Sequence, residues 1–267
     1  MIKQRFKGKV VWITGASSGI GEACARAFAI EGAWLILTGR SEEKLVQLSQ
    51  ECNLSGGKST VLIFDLSAVE QVQSLVERAL SIYGFIDILF NNAGISQRAF
   101  ASTALPNVEK LIFDINYFAP TLIAKEILPS MIQRGGGTIA VTTSIAGKFG
   151  FPLRSTYSAS KHALYGFFES LHAENFHQNI RVVFICPGRI KTNISLNAVS
   201  ENGQKHGVMD QGQAEGISAE KAAQKILKAI YFQKAEVLVG GKELLMVYLK
   251  RFFPAIVRKL IRKIKSS

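Results

Sequence analysis

Lys9-Val10-Val11-Trp12-Ile13-Thr14-Gly15-Ala16-Ser17-Ser18-Gly19-Ile20-Gly21 is the stretch on which the fold of this chain turns. From Val10 to Ile13 every residue is apolar, as expected of a parallel strand (Lys9–Thr14) covered on both faces. The amphipathic segment Ile20–Glu31 follows after nothing more than a glycine-rich turn, so the order is strand, tight turn, helix. Glycines permit that turn and let a pyrophosphate approach the backbone, while the helix N-terminus offers unpaired N–H groups and a favourable dipole. Gly15, Ser17, Ser18, Gly19, Ile20 and Gly21 therefore stand in the context of a dinucleotide site. Their spacing, Gly-x-x-x-Gly-x-Gly, differs from the Gly-x-Gly-x-x-Gly of other nucleotide folds. The plainer alternative is a turn that serves strand-helix packing alone.

Outward from this unit the alternation repeats. Further strands are expected at Trp34–Thr38, Ser59–Phe64, Ile86–Phe90, Gly137–Thr143, Ile180–Cys186 and Glu236–Val239, and further helices at Glu42–Gln50, Ala68–Tyr83, Pro106–Ile132, Ser155–His177 and Ala219–Phe232. Such alternation implies the α/β class, with one seven-stranded parallel sheet and helices on both faces. At 267 residues and 48% hydrophobic content the chain can bury one full core, and residues 1–243 are expected to form one domain. Asn193 to Gly216 is polar and weakly patterned, too long for a plain connection in a compact domain. Residues 189–216 are expected to form a mobile substrate lid, beside the apolar Phe149-Gly150-Phe151-Pro152, and residues 244–267 a separate extension.

Three positions suggest chemistry. Tyr157 and Lys161 are four apart in an expected helix and share its face. A nearby ammonium favours the phenolate, bringing a phenol that titrates near about 10 toward use as a general acid/base. Taken alone, the same spacing describes a surface tyrosine beside a solvated lysine. Ser144, at a strand end, can point its hydroxyl into a cleft, or be an ordinary turn serine. After the second strand, Leu37-Thr38-Gly39-Arg40 lacks the acid that would accept from adenosine ribose hydroxyls, whereas the Arg40 guanidinium suits a 2′-phosphate. NADP(H) is thus expected to be preferred over NAD(H), unless Arg40 is only a solvated charge opening the next helix.

With these motifs in order, the chain resembles the short-chain dehydrogenase/reductase family from about Gly8 to Gly240. The resemblance is carried by Thr14–Gly21, Asn91-Asn92-Ala93-Gly94, Asn116, Ser144, Tyr157 with Lys161, and Pro187-Gly188 followed by Thr192. It implies a Rossmann fold and a catalytic tetrad of Asn116, Ser144, Tyr157 and Lys161. In that tetrad Tyr157 supplies the proton, Ser144 holds the substrate oxygen, Lys161 also holds the nicotinamide ribose, and Asn116 bends its helix and anchors a water. Cofactor contacts are implied for Asp65 at the adenine, for Asn91, Ala93 and Gly94 along the adenosine side, and for Pro187, Gly188, Ile190 and Thr192 at the nicotinamide end. Asn91–Ala99 and Ser130–Lys161 are most similar to the branch containing 11β-hydroxysteroid dehydrogenases and lipid-reducing relatives. In one departure, Ser17 and Ser18 stand where many NADP-using relatives carry a basic residue, which leaves Arg40 as the main phosphate anchor.

The reaction so implied is hydride transfer between nicotinamide and a secondary alcohol or ketone, on a hydrophobic or lipid-like substrate. Its alternatives are a 3-oxoacyl-(acyl-carrier-protein) reductase and a non-catalytic nucleotide-binding protein on the same fold; the intact tetrad speaks against the latter. Relatives pair the helices corresponding to Pro106–Ile132 and Ser155–His177, so a homodimer or homotetramer is expected.

Other classes are disfavoured. Cys24, Cys52 and Cys186 have neither zinc spacing nor an even count, and His162, His172, His177 and His206 lack partners at ligand spacing, so no metal site is expected. There is no Gly-x-Ser-x-Gly elbow of a hydrolase, and no nucleic-acid partner is expected. No apolar stretch of leader length precedes the first strand, and no run of about 18 uncharged apolar residues occurs. The expected location is cytoplasmic, with one qualification. After Glu243 there is no acid, while Leu249, Phe252, Phe253, Ile256, Val257, Leu260, Ile261 and Ile264 recur at helical spacing among basic residues, from Lys250 to Lys265. A basic amphipathic helix over Leu249–Lys265 is expected either to pack on the protein or to lie on an anionic membrane surface.

Overall fold

A computed structural model of the protein describes residues 4–262. Its strands are β1 (Val10–Thr14), β2 (Trp34–Gly39), β3 (Lys58–Ile63), β4 (Ile88–Asn91), β5 (Gly137–Thr142), β6 (Ile180–Pro187), the short β7 (Ile190–Lys191) and β8 (Ile217–Ser218), and β9 (Glu236–Val239). Seven of them form one parallel sheet in the order β3-β2-β1-β4-β5-β6-β9, and β7 pairs with β8 apart from it. The expected strands thus all form, with ends shifted by two residues at most. The order reverses direction between β1 and β4, and the crevice at the carboxyl ends there is where an open α/β sheet takes its ligand.

Because side chains alternate along a strand, β1 supplies both cores. Val11 and Ile13 pack with Cys24 and Phe28 of α1 (Gly19–Ile30), with Leu45 and Leu48 of α2 (Glu42–Leu54), and with Ile226 and Ile230. Val10 and Trp12 face Leu75 of α3 (Val72–Tyr83) and Ile123 and Ile127, on the opposite side of the sheet. α2 outruns its expected end at Gln50 because the buried stripe Leu45, Leu48 continues to Cys52. At the start of the expected helix Ala68–Tyr83, Val69–Gln71 forms a tight 3-10 turn.

The long helix expected at Pro106–Ile132 is interrupted. α4 (Pro106–Phe113) passes through a wide π-turn, Asp114–Phe118, into α5 (Ala119–Gln133). In a regular α-helix Pro120 could not donate to the Asn116 carbonyl, and its ring would strike it. A wider turn relieves that clash at Asn116, where a bend was expected. α6 (Ser155–Glu174) also ends before His177: a 3-10 turn, Phe176–Gln178, and left-handed Asn179 (φ 58°) lead the chain into β6.

The segment expected to be a polar lid has structure of its own: β7, α7 (Gln211–Ala214) and β8 precede α8 (Ala219–Tyr231). It is also stitched to the strip after β4, since Arg98 N–H donates to Val199 C=O (2.7 Å) and Val199 N–H to Ser96 C=O (2.9 Å). The basic tail is two helices, α9 (Leu245–Phe252) and α10 (Pro254–Ile261). Pro254 disfavours helical backbone at Phe253, whose φ and ψ are −133° and 61°, and Pro254 then opens the next helix. Lys263, Ile264 and Lys265 of the expected helix lie outside the described residues.

Candidate active site

The turn after β1 is held by side chains from β4's end. Asn92 donates through Nδ2 to the carbonyls of Thr14 (3.1 Å) and Gly15 (3.2 Å), and Thr14 Oγ1 accepts the N–H groups of Asn92 and Ala93. Gly15 has φ 66°, and a Cβ there would lie 2.8 Å from Ala93 Cα; one on Gly21 would lie 2.3 Å from Gly15 O. Both positions therefore require glycine. Ser18 caps α1 without a side-chain hydrogen bond, so the first-turn N–H groups remain directed at the crevice. This open helix end fits a phosphate-bearing dinucleotide.

Arg40 and Asp65 stand at the ends of β2 and β3, exposed, with Nη1 and Oδ2 3.8 Å apart. Asp65 also accepts the Ser67 N–H at 2.9 Å. Asn91 behaves differently from its neighbours. Its buried carboxamide donates to the Pro120 carbonyl (3.1 Å), away from the cleft, leaving only main-chain atoms for the adenosine side.

Beyond the glycine turn lies a cleft with a cavity volume of about 220 Å³. It brings together Ile20, Gly94, Ser144, Tyr157 and Lys161 with Pro187, Gly188, Ile190 and Thr192. The Ile190–Thr192 edge is fastened by Gln213, whose Nε2 donates to Ile190 C=O and to Thr192 Oγ1. Asn116 sits just behind this wall. Its Oδ1 accepts the Ile95 N–H (2.9 Å), while its Nδ2 donates to Ile95 C=O (2.9 Å) and Ser160 Oγ (3.2 Å), so the carboxamide pairs with a peptide as a neighbouring strand would.

Tyr157 and Lys161 project from the first turns of α6. The start of that helix is capped from 60 residues away: buried Gln97 Oε1 accepts the N–H groups of Thr156 (2.9 Å) and Tyr157 (3.2 Å). Lys161 Nζ donates to Thr142 C=O at 2.8 Å and stands 6.0 Å from the Tyr157 ring centroid. Burial pushes the Lys161 ammonium down to about 7.

The electrostatics of Tyr157 differ from the expectation that Lys161 relieves its phenol. Burial raises the Tyr157 pKa, and the opposing influences are the Ser144 hydroxyl, then the positive charges of Arg154 and Arg98. Both arginines line the cleft, as does Asp210, which accepts hydrogen bonds from each. Sequence reasoning missed this cluster and Gln97. No local spacing joins 97–98 to 154 or 210; the one available signal was a charged residue, Asp210, inside the segment expected to cover the substrate.

Several known proteins are similar to this chain. The family model for short chain dehydrogenase matches residues 9–203. "Dehydrogenase/reductase SDR family member 7B" of Xenopus laevis is 45% identical over 258 residues, covering 94% of this chain and 80% of the relative. "Dehydrogenase/reductase SDR family protein 7-like" of Drosophila melanogaster is 37% identical over 259 residues, covering 95% and 79%. Among solved structures, a short chain dehydrogenase/reductase from Burkholderia phymatum in complex with NAD has a TM-score of 0.84 at 26% identity, covering 94% of this chain and 96% of that one. A metagenomic short-chain oxidoreductase in complex with NADP has a TM-score of 0.72 at 28% identity, covering 88% and 98%. A family model that matches most of the chain, and relatives up to 45% identical that span nearly all of it, together make this chain an oxidoreductase of the short-chain dehydrogenase/reductase family.

Proposed function

We propose that the protein prefers NADP(H) and interconverts a ketone and a secondary alcohol, with Tyr157 as the proton donor and acceptor. The observation that carries the reading is the convergence of Ser144, Tyr157 and Lys161 on one cleft beside the glycine turn. When bound, the nicotinamide supplies or accepts the hydride. Ser144 holds the carbonyl oxygen, and the Tyr157 hydroxyl gives that oxygen its proton as negative charge develops there. Lys161, fixed at Thr142 C=O, binds the nicotinamide ribose. Asn116 keeps the Ile95 peptide and Ser160 in place behind both. Gly15, Ser17, Ser18, Gly19, Ile20 and Gly21 receive the pyrophosphate, and Arg40 receives the 2′-phosphate. Asp65 and the Asn91–Gly94 main chain border the adenosine, and Pro187–Thr192 the nicotinamide.

The test is a panel of ketones, free and carrier-bound, followed by NADPH consumption. Turnover of free ketones supports the proposal, turnover of carrier-bound 3-oxoacyl groups alone redirects it, and no turnover across a broad panel contradicts it.

The substrate is proposed to be lipid-like and the enzyme to work on an anionic membrane surface. Among the described residues no helix is long and apolar enough to cross a membrane. In α9 and α10, Met246, Val247, Val257 and Ile261 face the protein. Leu245, Tyr248, Phe252, Phe253, Ile256 and Leu260 remain exposed beside Lys250, Arg251, Arg258 and Lys259. The inner face packs on Ile145 and Phe149, and Ile145 also lines the cleft, so the two helices lie near it. The exposed Phe118, in contact with Phe113 and Tyr117, supports a homodimer or homotetramer through α4 to α6. A monomer mass by light scattering at micromolar concentration would rule that assembly out.

A further inference from the structure

Arg98, Arg154 and Asp210 form a cluster of two cations and one anion in the cleft wall, all largely removed from water. Arg98 directs Nε and Nη2 to the two oxygens of Asp210, and Nη1 to Ser96 Oγ (3.0 Å) and Gln97 C=O (2.6 Å). These partners take four of its five N–H donors. Arg154 shares the same carboxylate, donating through Nη2 to Asp210 Oδ2 at 2.8 Å. Its other contacts are a long bond from Nη1 to Pro152 C=O (3.5 Å) and the Phe151 ring 6.0 Å away. Most of its N–H donors thus have no protein partner among the described residues.

One carboxylate cannot neutralise two guanidiniums. If the cluster served only to fasten the 189–216 segment, the Arg98–Asp210 pair would suffice, and a second buried cation would add a desolvation cost that half of a shared carboxylate offsets poorly. Burial and repulsion from Arg98 push the Arg154 pKa down against the opposing pull of Asp210, as expected of a charge that shares its counter-ion with another. Arg98 and Arg154 also come from segments that the cofactor assignment does not use, whereas Lys161 and Arg189 border its nicotinamide end.

We propose that Arg154, oriented by Asp210 and Arg98, is the seat of an oxyanion subsite, and that the carbonyl substrate carries a carboxylate or phosphate group which pairs with it. This deepens, and rests on, the reading of the cleft as a ketone reductase site. Asp210 and Arg98 are positioning residues; Arg154 touches the ligand. A guanidinium binds either group by paired N–H donation. The substrate then lies with its oxyanion at Arg154 and its reacting carbon at Tyr157, three residues further along the same helix end.

The experiment compares ketones of equal chain length that end in a methyl group, a carboxylate or a phosphate monoester, using wild type, Arg154→Gln and Arg154→Lys. In wild type, kcat/KM for an oxyanion-ended member should exceed that of the methyl-ended ketone by about tenfold or more, mainly through KM. The carboxylate and phosphate arms identify which group is preferred. Arg154→Gln should bring the ratio close to one, and Arg154→Lys should keep part of it. A wild-type ratio at or below one overturns the subsite while leaving the reductase reading intact, and it decides the matter even if Arg154→Gln fails to fold. If no ketone is reduced, the reductase reading fails separately. Calorimetry on NADP+-saturated protein then decides: hexanoate or hexyl phosphate binding at least about tenfold more tightly than hexanol supports the subsite, and equal binding overturns it.

Discussion

Tyr157 lies in surroundings that make a neutral phenol easier to keep than a phenolate, since burial is the largest influence on it. The sequence spacing pointed to Lys161 as the remedy, but the influences that oppose burial are Ser144, Arg154 and Arg98, two of which come from segments with no local relation to Tyr157. Lys161 itself carries a consequence for stability. Its folded pKa, near 7, lies below the value of about 10.4 for a free lysine, so between the two the unfolded chain binds more protons. Stability of the cofactor-free protein should therefore rise with pH from about 7 toward about 10, and Lys161→Met should flatten the rise. Melting temperatures of the two proteins across that range measure it; parallel curves would show that Lys161 is not the group responsible. At the other end of the crevice, Arg40 is exposed and only loosely paired with Asp65. Arg40→Ala should weaken NADPH by about tenfold to a hundredfold and leave NADH nearly unchanged, as loss of one charge-assisted contact predicts. Cofactor fluorescence titration reads both affinities, and an equal loss would make Arg40 structural.

Among the elements, α6 owes its starting point to Gln97 rather than to a local cap. Gln97→Leu would leave the Thr156 and Tyr157 N–H groups buried without an acceptor, at a cost of about 1–3 kcal/mol per group at most. Urea denaturation should show lower stability, and steady-state kinetics a lower kcat with little change in NADPH affinity. Unchanged kcat in a folded variant would mean that the cap does not position Tyr157. The strands were readable because apolar runs mark them, and the π-turn at Asn116 was readable as a bend, though not in its type. Gln97's role was hidden because a tertiary cap leaves no periodic trace. The basic tail was expected as one helix, and Pro254 divides it, standing at the boundary between α9 and α10. On those helices Phe252 and Ile256 are exposed whereas Val257 is buried. The pair Phe252→Glu and Ile256→Glu should abolish sedimentation with anionic liposomes at low salt while changing stability by no more than about 0.5 kcal/mol each. Retained sedimentation would place the membrane contact elsewhere or nowhere.

For the whole molecule, alternation of apolar runs and amphipathic helices sufficed to foretell a parallel sheet, and the glycine turn foretold where its ligand crevice lies. Residues within a single motif, such as Tyr157 with Lys161, could be placed in advance. Those assembled from three separate segments, Gln97 with Arg98, Arg154 and Asp210, could not, because only the closed fold makes them neighbours. Within the 189–216 segment, Val199 and Asp210 tie the chain to the cleft wall through main-chain bonds and a buried ion cluster, contacts that its weak patterning does not announce. The account as a whole depends on one phenol giving and taking the proton. Its most direct test is Tyr157→Phe, measured for NADPH affinity and for turnover of a ketone that the wild type reduces. Affinity should be nearly unchanged and kcat should fall by about 10²–10⁴-fold, the usual worth of a positioned acid/base; a variant that retains most of the wild-type turnover would contradict the account.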